Sequence, residues 1–442
     1  MEETPLQPEL ESSAVQRDVG RFGARATHTG DAPLRRYLDV RAATVELCAP
    51  LTPEDHVAQS MPDASPAKWH LAHTSWFFEE FVLARAAADY RPYCAPFRYL
   101  FNSYYNTVGA MHCRAARGML TRPTVAEVMA YRRAIDERIA SLLEGGGLPD
   151  GLDAVLILGL EHERQHQELL LTDIKHLFSL NPLRPAYRER SHPQPRRAAP
   201  LRLLAFEGGV IPIGHDGDGF CFDNELPRHR VLLSPFRLAN RPVTNGEYLE
   251  FVRAGGYEDP RLWLADGWAL ARREGWQRPI YWSRSLEEEF TLTGMRQLEP
   301  DTPLCHVSGY EADAFARWAG ARLPTEFEWE RAAGDIAPTG NFLERREWHP
   351  RASGASPAAE RPLQMFGDVW EWTQSAYSPY PGYSPAPGAL GEYNGKFMIN
   401  QLVLRGGSCA TPAAHIRASY RNFFPPAARW QFSGVRLAGD GA

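Results

Sequence analysis

Residues 181–200 read NPLRPAYRERSHPQPRRAAP, and the five prolines in this stretch forbid both a sustained helix and an interior strand. Each proline lacks the N–H that either hydrogen-bond ladder needs. This segment is read as a linker, and the texture of the chain differs on its two sides. Before it, apolar residues recur with helical spacing; after it, short apolar runs alternate with Gly, Pro, Asn and Asp. A length of 442 residues provides enough material for two cores.

In the first half, residues 1–30 lack periodic apolar content and are expected to be disordered. Four helices are then predicted at Leu34–Ala49, Pro66–Ala87, Thr124–Leu143 and Leu152–Leu180, the third opening on a capping box, Thr124 to Glu127. Residues 31–180 thus read as a helical bundle, interrupted by a long aromatic connection from Tyr93 to Arg122 that is a candidate functional loop. Residues 201–442 read as a loop-rich α+β domain with one clear helix, Gly309–Gly320.

Charge narrows the choice of partners. A net charge of −6, with both signs mixed along the chain, gives no field suited to nucleic acid or a membrane surface, so small molecules or further copies of the chain are the expected partners. The acidic, polar N-terminus and the lack of a long apolar stretch point to the cytoplasm. Six scattered cysteines without a CxxC spacing suit reduced thiols, leaving histidine and carboxylate as the metal ligands available.

The fourth predicted helix carries His162 and His166. An i, i+4 pair lies one turn apart on the same helix face, where both imidazoles can reach one ion. Two solvated histidines on a charged helix fit the same spacing. A third ligand is available on the second helix, in Trp69-His70-Leu71-Ala72-His73. His73 adjoins the apolar face of Trp76, Phe77 and Phe78, whereas His70 lies on another side, so His73 is the better candidate; a core histidine is its competing reading. Three imidazoles would leave Fe(II) up to three open positions, whereas a hydrolytic zinc site needs one. Glu168 reads either as a group orienting a ligand imidazole or as a surface charge.

The spacing His162-x3-His166-x-Glu168, with His73 upstream, resembles the DinB-like helical domain of the EgtB-type sulfoxide synthases of ergothioneine biosynthesis. The second half resembles the FGE-sulfatase (formylglycine-generating-enzyme-like) fold, of C-type-lectin-like topology. The stretches that carry this are FEGG at 206–209, DNELPRH at 223–229, PVTN at 242–245, RLPTEFEW at 322–329, GDVWEWT at 367–373 and RGGS at 405–408. The implied fold is α+β, a DinB-like four-helix bundle followed by an FGE-sulfatase-like domain. The implied activity is O2-dependent joining of a thiol to hercynine, the betaine of histidine, on Fe(II) held by His73, His162 and His166. A formylglycine-generating activity is not expected, since that family's cysteines five apart are replaced by Cys409 and Ala414. No methyltransferase-like domain follows residue 442, so the acceptor is expected to arrive already methylated.

The resemblance also implies site residues. Gln165 is expected to contact the imidazole or the carboxylate of hercynine. Its trimethylammonium needs aromatic faces, for which Phe423 and Phe424 are the first candidates and Tyr380, Trp372 and Trp430 further ones. Family members using γ-glutamylcysteine tend to carry a carboxylate where this chain has Phe424, which favours free cysteine. Arg114 and Arg117 are the expected cations for the donor carboxylate, although the run from Met111 to Arg117 departs from the basic, proline-containing pattern of cysteine-using members. Sulfoxide formation needs a proton source; Tyr104 and Tyr105 compete with Tyr377 and Tyr380, and the resemblance favours the first pair. Asp63 reads either as part of this network or as a helix cap. A selenoneine synthase using a selenosugar and a non-catalytic lectin-like module are the alternative readings. DinB-like domains often self-associate, so a homo-oligomer is compatible with the sequence.

Overall fold

The computed structural model describes residues 31–145, 147–189, 196–354 and 360–441. The expected disorder of residues 1–30 therefore falls outside the described residues.

The first half is a bundle of α1 (Asp31–Cys48), α2 (Ala67–Phe78), α3 (Val125–Glu144) and α4 (Leu152–Leu180). α3 starts where the capping box places it, with Thr124 and Glu127 exchanging both side chain-to-backbone bonds. α2 ends earlier than its apolar pattern predicts. At Glu79–Leu83 it opens into a wider π-type turn before a last short turn, Ala84–Ala86. The buried carboxylate of Glu79 sits there, accepting hydrogen bonds from the Tyr131 hydroxyl, the Tyr90 hydroxyl (2.8 Å) and the Tyr93 N–H (2.7 Å).

Two features fix α4 against its neighbours. A Cβ added at Gly159 would lie 2.6 Å from the Phe78 ring and 2.9 Å from Phe77, so only glycine lets α2 approach this closely one turn before His162. On the other side Glu163, fully buried, takes Arg41 at 2.9 Å, Thr44 at 2.6 Å and Arg132. Burial alone would raise its pKa, but Arg132 and Arg41 outweigh it and hold the carboxyl at about 2.

The second half contains α5 (Asn245–Arg253), α6 (Ala265–Glu274), α7 (Gly309–Trp318) and α8 (Glu326–Ala333) around small sheets. The strands are β1 (Leu203–Phe206), β2 (Gly209–Ile213), β3 (His229–Leu233), β4 (Phe236–Ala239), β5 (Glu288–Thr291), β6 (Gly294–Gln297), β7 (Trp370–Ala376), β8 (Leu402–Arg405), β9 (Asn422–Phe424), β10 (Ser433–Gly434) and β11 (Ala438–Asp440). They form sheets in the orders β1-β4-β11 and β10-β7-β8-β9, with β2-β3 and β5-β6 as separate hairpins. Only β10 and β7 run parallel among these pairs.

The four-stranded sheet meets α4. Glu168, half a turn beyond His166, accepts hydrogen bonds from Trp370 Nε1 (2.8 Å), Ser408 Oγ (2.6 Å) and Thr411 Oγ1 (2.6 Å). It is thus neither a surface charge nor a partner of a ligand imidazole, but the point where the GDVWEWT strand and the RGGS turn grip the bundle. Of the proline-rich stretch, Tyr187 is buried and its hydroxyl donates to Leu47 O. All six cysteines are free thiols. No described helix is long and apolar enough to cross a membrane.

Candidate metal centre at the junction of the two halves

α2 and α4 bring His73, His162 and His166 together, with one ligand atom from each lying within 4.8 Å of the others. His73 Nε2 is 3.2 Å and His166 Nε2 is 3.1 Å from His162 Nε2. All three rings are buried, and His73 is sandwiched between Trp69 at 4.5 Å and Trp76 at 5.5 Å. Burial pushes the three pKa values down, that of His162 to about 4. The rings are therefore neutral at pH 7, as metal ligands have to be.

Hydrogen bonds decide which nitrogens are free. His73 donates from Nδ1 to the carbonyl of Phe101 (2.6 Å), leaving a lone pair on Nε2. His166 Nδ1 is 2.8 Å from His70 Nδ1, and His70 Nε2 is 3.0 Å from Asp173 Oδ2. The carboxylate only accepts, so His70 donates to it from Nε2, accepts at Nδ1, and leaves His166 to donate from Nδ1. His166 Nε2 is then unprotonated too. His162 differs: its Nδ1 has no partner. The lone pairs on His73 Nε2 and His166 Nε2 thus converge on His162 Nε2, where one cation can take up all three nitrogens. The donor set of three neutral imidazoles suits a first-row metal.

The sequence predicts His70 off the His73 face. It nonetheless points at His166 across the bundle, and neither it nor Asp173 carries a one-dimensional signal, since their link spans over a hundred residues.

The centre opens into a cavity of about 380 Å³ lined by both halves. Among the residues expected at a site, the cavity wall includes Tyr104, Tyr105, Arg114, Arg117, Gln165, Phe423 and Phe424, and also Asp63 and Trp430. Tyr380 is not there. It is buried in an ion cluster of the second half, its hydroxyl facing Glu326 and Arg405 and its ring 4.0 Å below the Arg421 guanidinium. Its aromatic character and its place after the WEWT strand gave no indication of which side of the sheet it faces. Trp372 and Tyr377 are likewise core residues, the first donating to Val307 O and the second accepting from Asn224.

Two groups in the wall lack the partners that burial normally demands. Arg117 is 5% exposed, stacks 3.3 Å above the Trp69 ring and, among the described residues, donates only to Ser65 Oγ (2.9 Å) and Ser103 Oγ (2.8 Å). Among the described residues no carboxylate pairs with it, and burial, aided by Arg114, depresses its pKa to about 9. Tyr105 is 4% exposed and its hydroxyl has no hydrogen-bond partner among the described residues. Burial raises its pKa well above the ordinary value, so it stays protonated. Tyr104 is engaged differently, its hydroxyl taking Arg114 and its carbonyl taking Lys396.

A helical bundle with a buried three-histidine group, fused to an FGE-sulfatase-like domain that closes the cavity, defines a two-domain enzyme with a metal centre. Residues 36–170 match the DinB superfamily model, and residues 188–362 and 362–440 match the Sulfatase-modifying factor enzyme 1-like domain. The chain is 35% identical to the hercynine oxygenase of Mycobacterium tuberculosis, covering 94% of this chain and 98% of that one. It is 34% identical to the hercynine oxygenase of Mycolicibacterium thermoresistibile, over 92% and 94% of the two chains. A formylglycine-generating enzyme of Streptomyces coelicolor is 30% identical over 51% of this chain and 83% of its own. The chain belongs to the hercynine oxygenase family.

Proposed function

We propose that the chain is a non-haem iron(II) sulfoxide synthase that joins cysteine to hercynine with O2 to give hercynylcysteine sulfoxide. The observation that carries this is the convergence of His73, His162 and His166 at a cavity between the two halves of a chain similar to hercynine oxygenases along nearly its whole length. The reaction balances with O2 alone: forming the C–S bond and oxidising the sulfur each remove two electrons, one oxygen atom goes to sulfur and the other leaves as water. Iron(II) held by the three imidazoles would supply the electron transfer to O2 and the Lewis acidity for thiolate and imidazole.

The protein's own groups do the rest. Arg117, short of a counter-charge, receives the carboxylate of cysteine, with Arg114 as the outer cation. A guanidinium bonded to a carboxylate forms a strong, directional pair. Phe423 and Phe424 offer rings to the trimethylammonium, and Gln165 contacts the ring or the carboxylate of hercynine. Tyr105 provides the proton, since its hydroxyl is neutral, faces the cavity and is not committed elsewhere. Phe424 in place of a carboxylate supports free cysteine over γ-glutamylcysteine, whose glutamyl ammonium group would find no partner there.

The test is to reconstitute the protein with Fe(II) under anaerobic conditions. Hercynine is then offered with cysteine, γ-glutamylcysteine or a selenosugar in air, and the products are read by mass spectrometry. Hercynylcysteine sulfoxide from cysteine, at a kcat/KM at least tenfold above the other donors, supports the proposal. Product from the selenosugar alone would move the chain to selenium chemistry.

A further inference from the structure

Gln165 lines the cavity one residue before His166, and its amide ends a hydrogen-bonded chain that crosses from one half of the molecule to the other. Gln165 Nε2 lies 2.9 Å from the Tyr420 hydroxyl, which lies 2.9 Å from His415 Nε2. His415 Nδ1 in turn lies 2.7 Å from Glu161 Oε2. Glu161 and Gln165 belong to α4, one turn apart, while His415 and Tyr420 come from the segment after the RGGS turn.

The direction of each bond follows from the far end. Glu161 also takes the guanidinium groups of Arg36 and Arg164, so it is an ionised carboxylate that only accepts, and His415 donates to it from Nδ1. Those two guanidinium groups already balance Glu161, and His415 is 1% exposed, which favours a neutral ring with a lone pair on Nε2. Tyr420, 4% exposed, gives its one hydroxyl hydrogen to that lone pair. It then has only lone pairs left for Gln165, which meets it with an N–H. The Oε1 of Gln165 has no protein partner among the described residues and is the end of the amide left to the cavity.

We infer that Glu161, His415 and Tyr420 form a positioning relay that locks the Gln165 amide with its carbonyl oxygen as an acceptor for the cavity, so that this wall selects a ligand ring bearing an N–H. The inference rests on the proposed reading that hercynine binds here. Hercynine has a single hydrogen-bond donor, the ring N–H: its trimethylammonium carries no hydrogen to donate and its carboxylate only accepts. An amide free to turn would serve the ring with one end or the carboxylate with the other. The locked amide serves the ring alone, and a site built around an N–H strongly rejects an isostere without one.

The test compares hercynine with its oxazole isosteres, in which oxygen replaces the ring N–H. Binding to the Fe(II)-loaded protein is measured by anaerobic calorimetry without thiol, so that no turnover intervenes. The wild-type protein is expected to favour hercynine by at least about 100-fold. Tyr420→Phe frees the amide to turn its N–H toward the oxazole oxygen, and the preference should fall at least about tenfold, chiefly because the oxazole binds more tightly, a gain that damage to the fold would not produce. In a Gln165→Leu background, Tyr420→Phe should leave the ratio unchanged. A preference that survives Tyr420→Phe, or falls equally with Gln165→Leu present, would overturn the relay. Failure of the wild-type protein to bind hercynine at all would instead overturn the reading on which the relay rests.

Discussion

The three imidazoles of the centre are supported unequally, and the difference makes single residues testable. His166 is backed by His70 and Asp173, His73 by a backbone carbonyl, and His162 by nothing at Nδ1. Asp173 Oδ2 accepts both His70 Nε2 and the N–H of Ser65, the latter at 2.8 Å. Asp173→Asn can therefore keep a carbonyl oxygen at that point, preserving the tautomers while removing the charge. It is expected to weaken Fe(II) binding about tenfold, and Asp173→Ala up to about 100-fold, in a competition titration. Equal affinities in all three proteins would mean that Asp173 merely caps the backbone at Ser65. Arg117 gives the opposite balance of stability and function. Because it is a buried charge without a carboxylate, Arg117→Met should leave the melting temperature unchanged or higher while raising KM for cysteine by about 10–100-fold, the worth of a charged hydrogen-bonded pair. A fall in melting temperature with KM intact would assign Arg117 a structural role.

At the level of elements, α4 is the part on which everything hangs, and its acidic residues behave oppositely. Glu163 anchors α4 to Arg41 and Arg132, so Glu163→Gln leaves buried Arg132 without a carboxylate and Arg41 with Asp136 alone, and should cost about 3–5 kcal/mol in denaturant unfolding. Its carboxyl falls from an ordinary 4.5 to about 2 in the folded protein. The stability it contributes is therefore full above about pH 4.5 and is lost as the pH drops toward 2; Glu163→Gln should flatten that acid limb. Among the described residues Glu168 has hydrogen bonds but no cation, and burial raises its pKa, so Glu168→Gln should cost less than about 1.5 kcal/mol. If the two substitutions cost the same, the assignment of charge and hydrogen bond to these two positions is wrong. The helices themselves were legible in the sequence because each buries one regular face and α3 opens on a local capping box. The break in α2 was not, because it answers to Tyr131 on α3 and to Tyr90 and Tyr93 beyond the helix end, none of which enters the apolar pattern of α2.

For the whole molecule, the two halves share one site rather than lying side by side. Glu168 bonds to Trp370, Ser408 and Thr411, Glu161 to His415, and Glu392 to the backbone of Asn106 and Thr107 beside the tyrosine loop. Residues that act through short spacing, such as His162 and His166, could be picked out from sequence, and the loop with Tyr104 and Tyr105 stood out by its length. His70 and Asp173 could not, because their link forms only when α2 packs on α4, and neither could His415 and Tyr420, whose contacts with Glu161 and Gln165 are set only when the second half closes on α4. Tyr380 shows the converse: an aromatic residue near a telling motif, turned by the sheet into a core ion cluster. The most direct test of the account is a single-turnover reaction of the Fe(II)-loaded protein with hercynine, cysteine and 18O2, followed by mass spectrometry of the product. The account predicts hercynylcysteine sulfoxide carrying one labelled oxygen in the wild-type protein and none formed by His162→Ala. Absence of any iron-dependent C–S product, or an equal yield from His162→Ala, would contradict it.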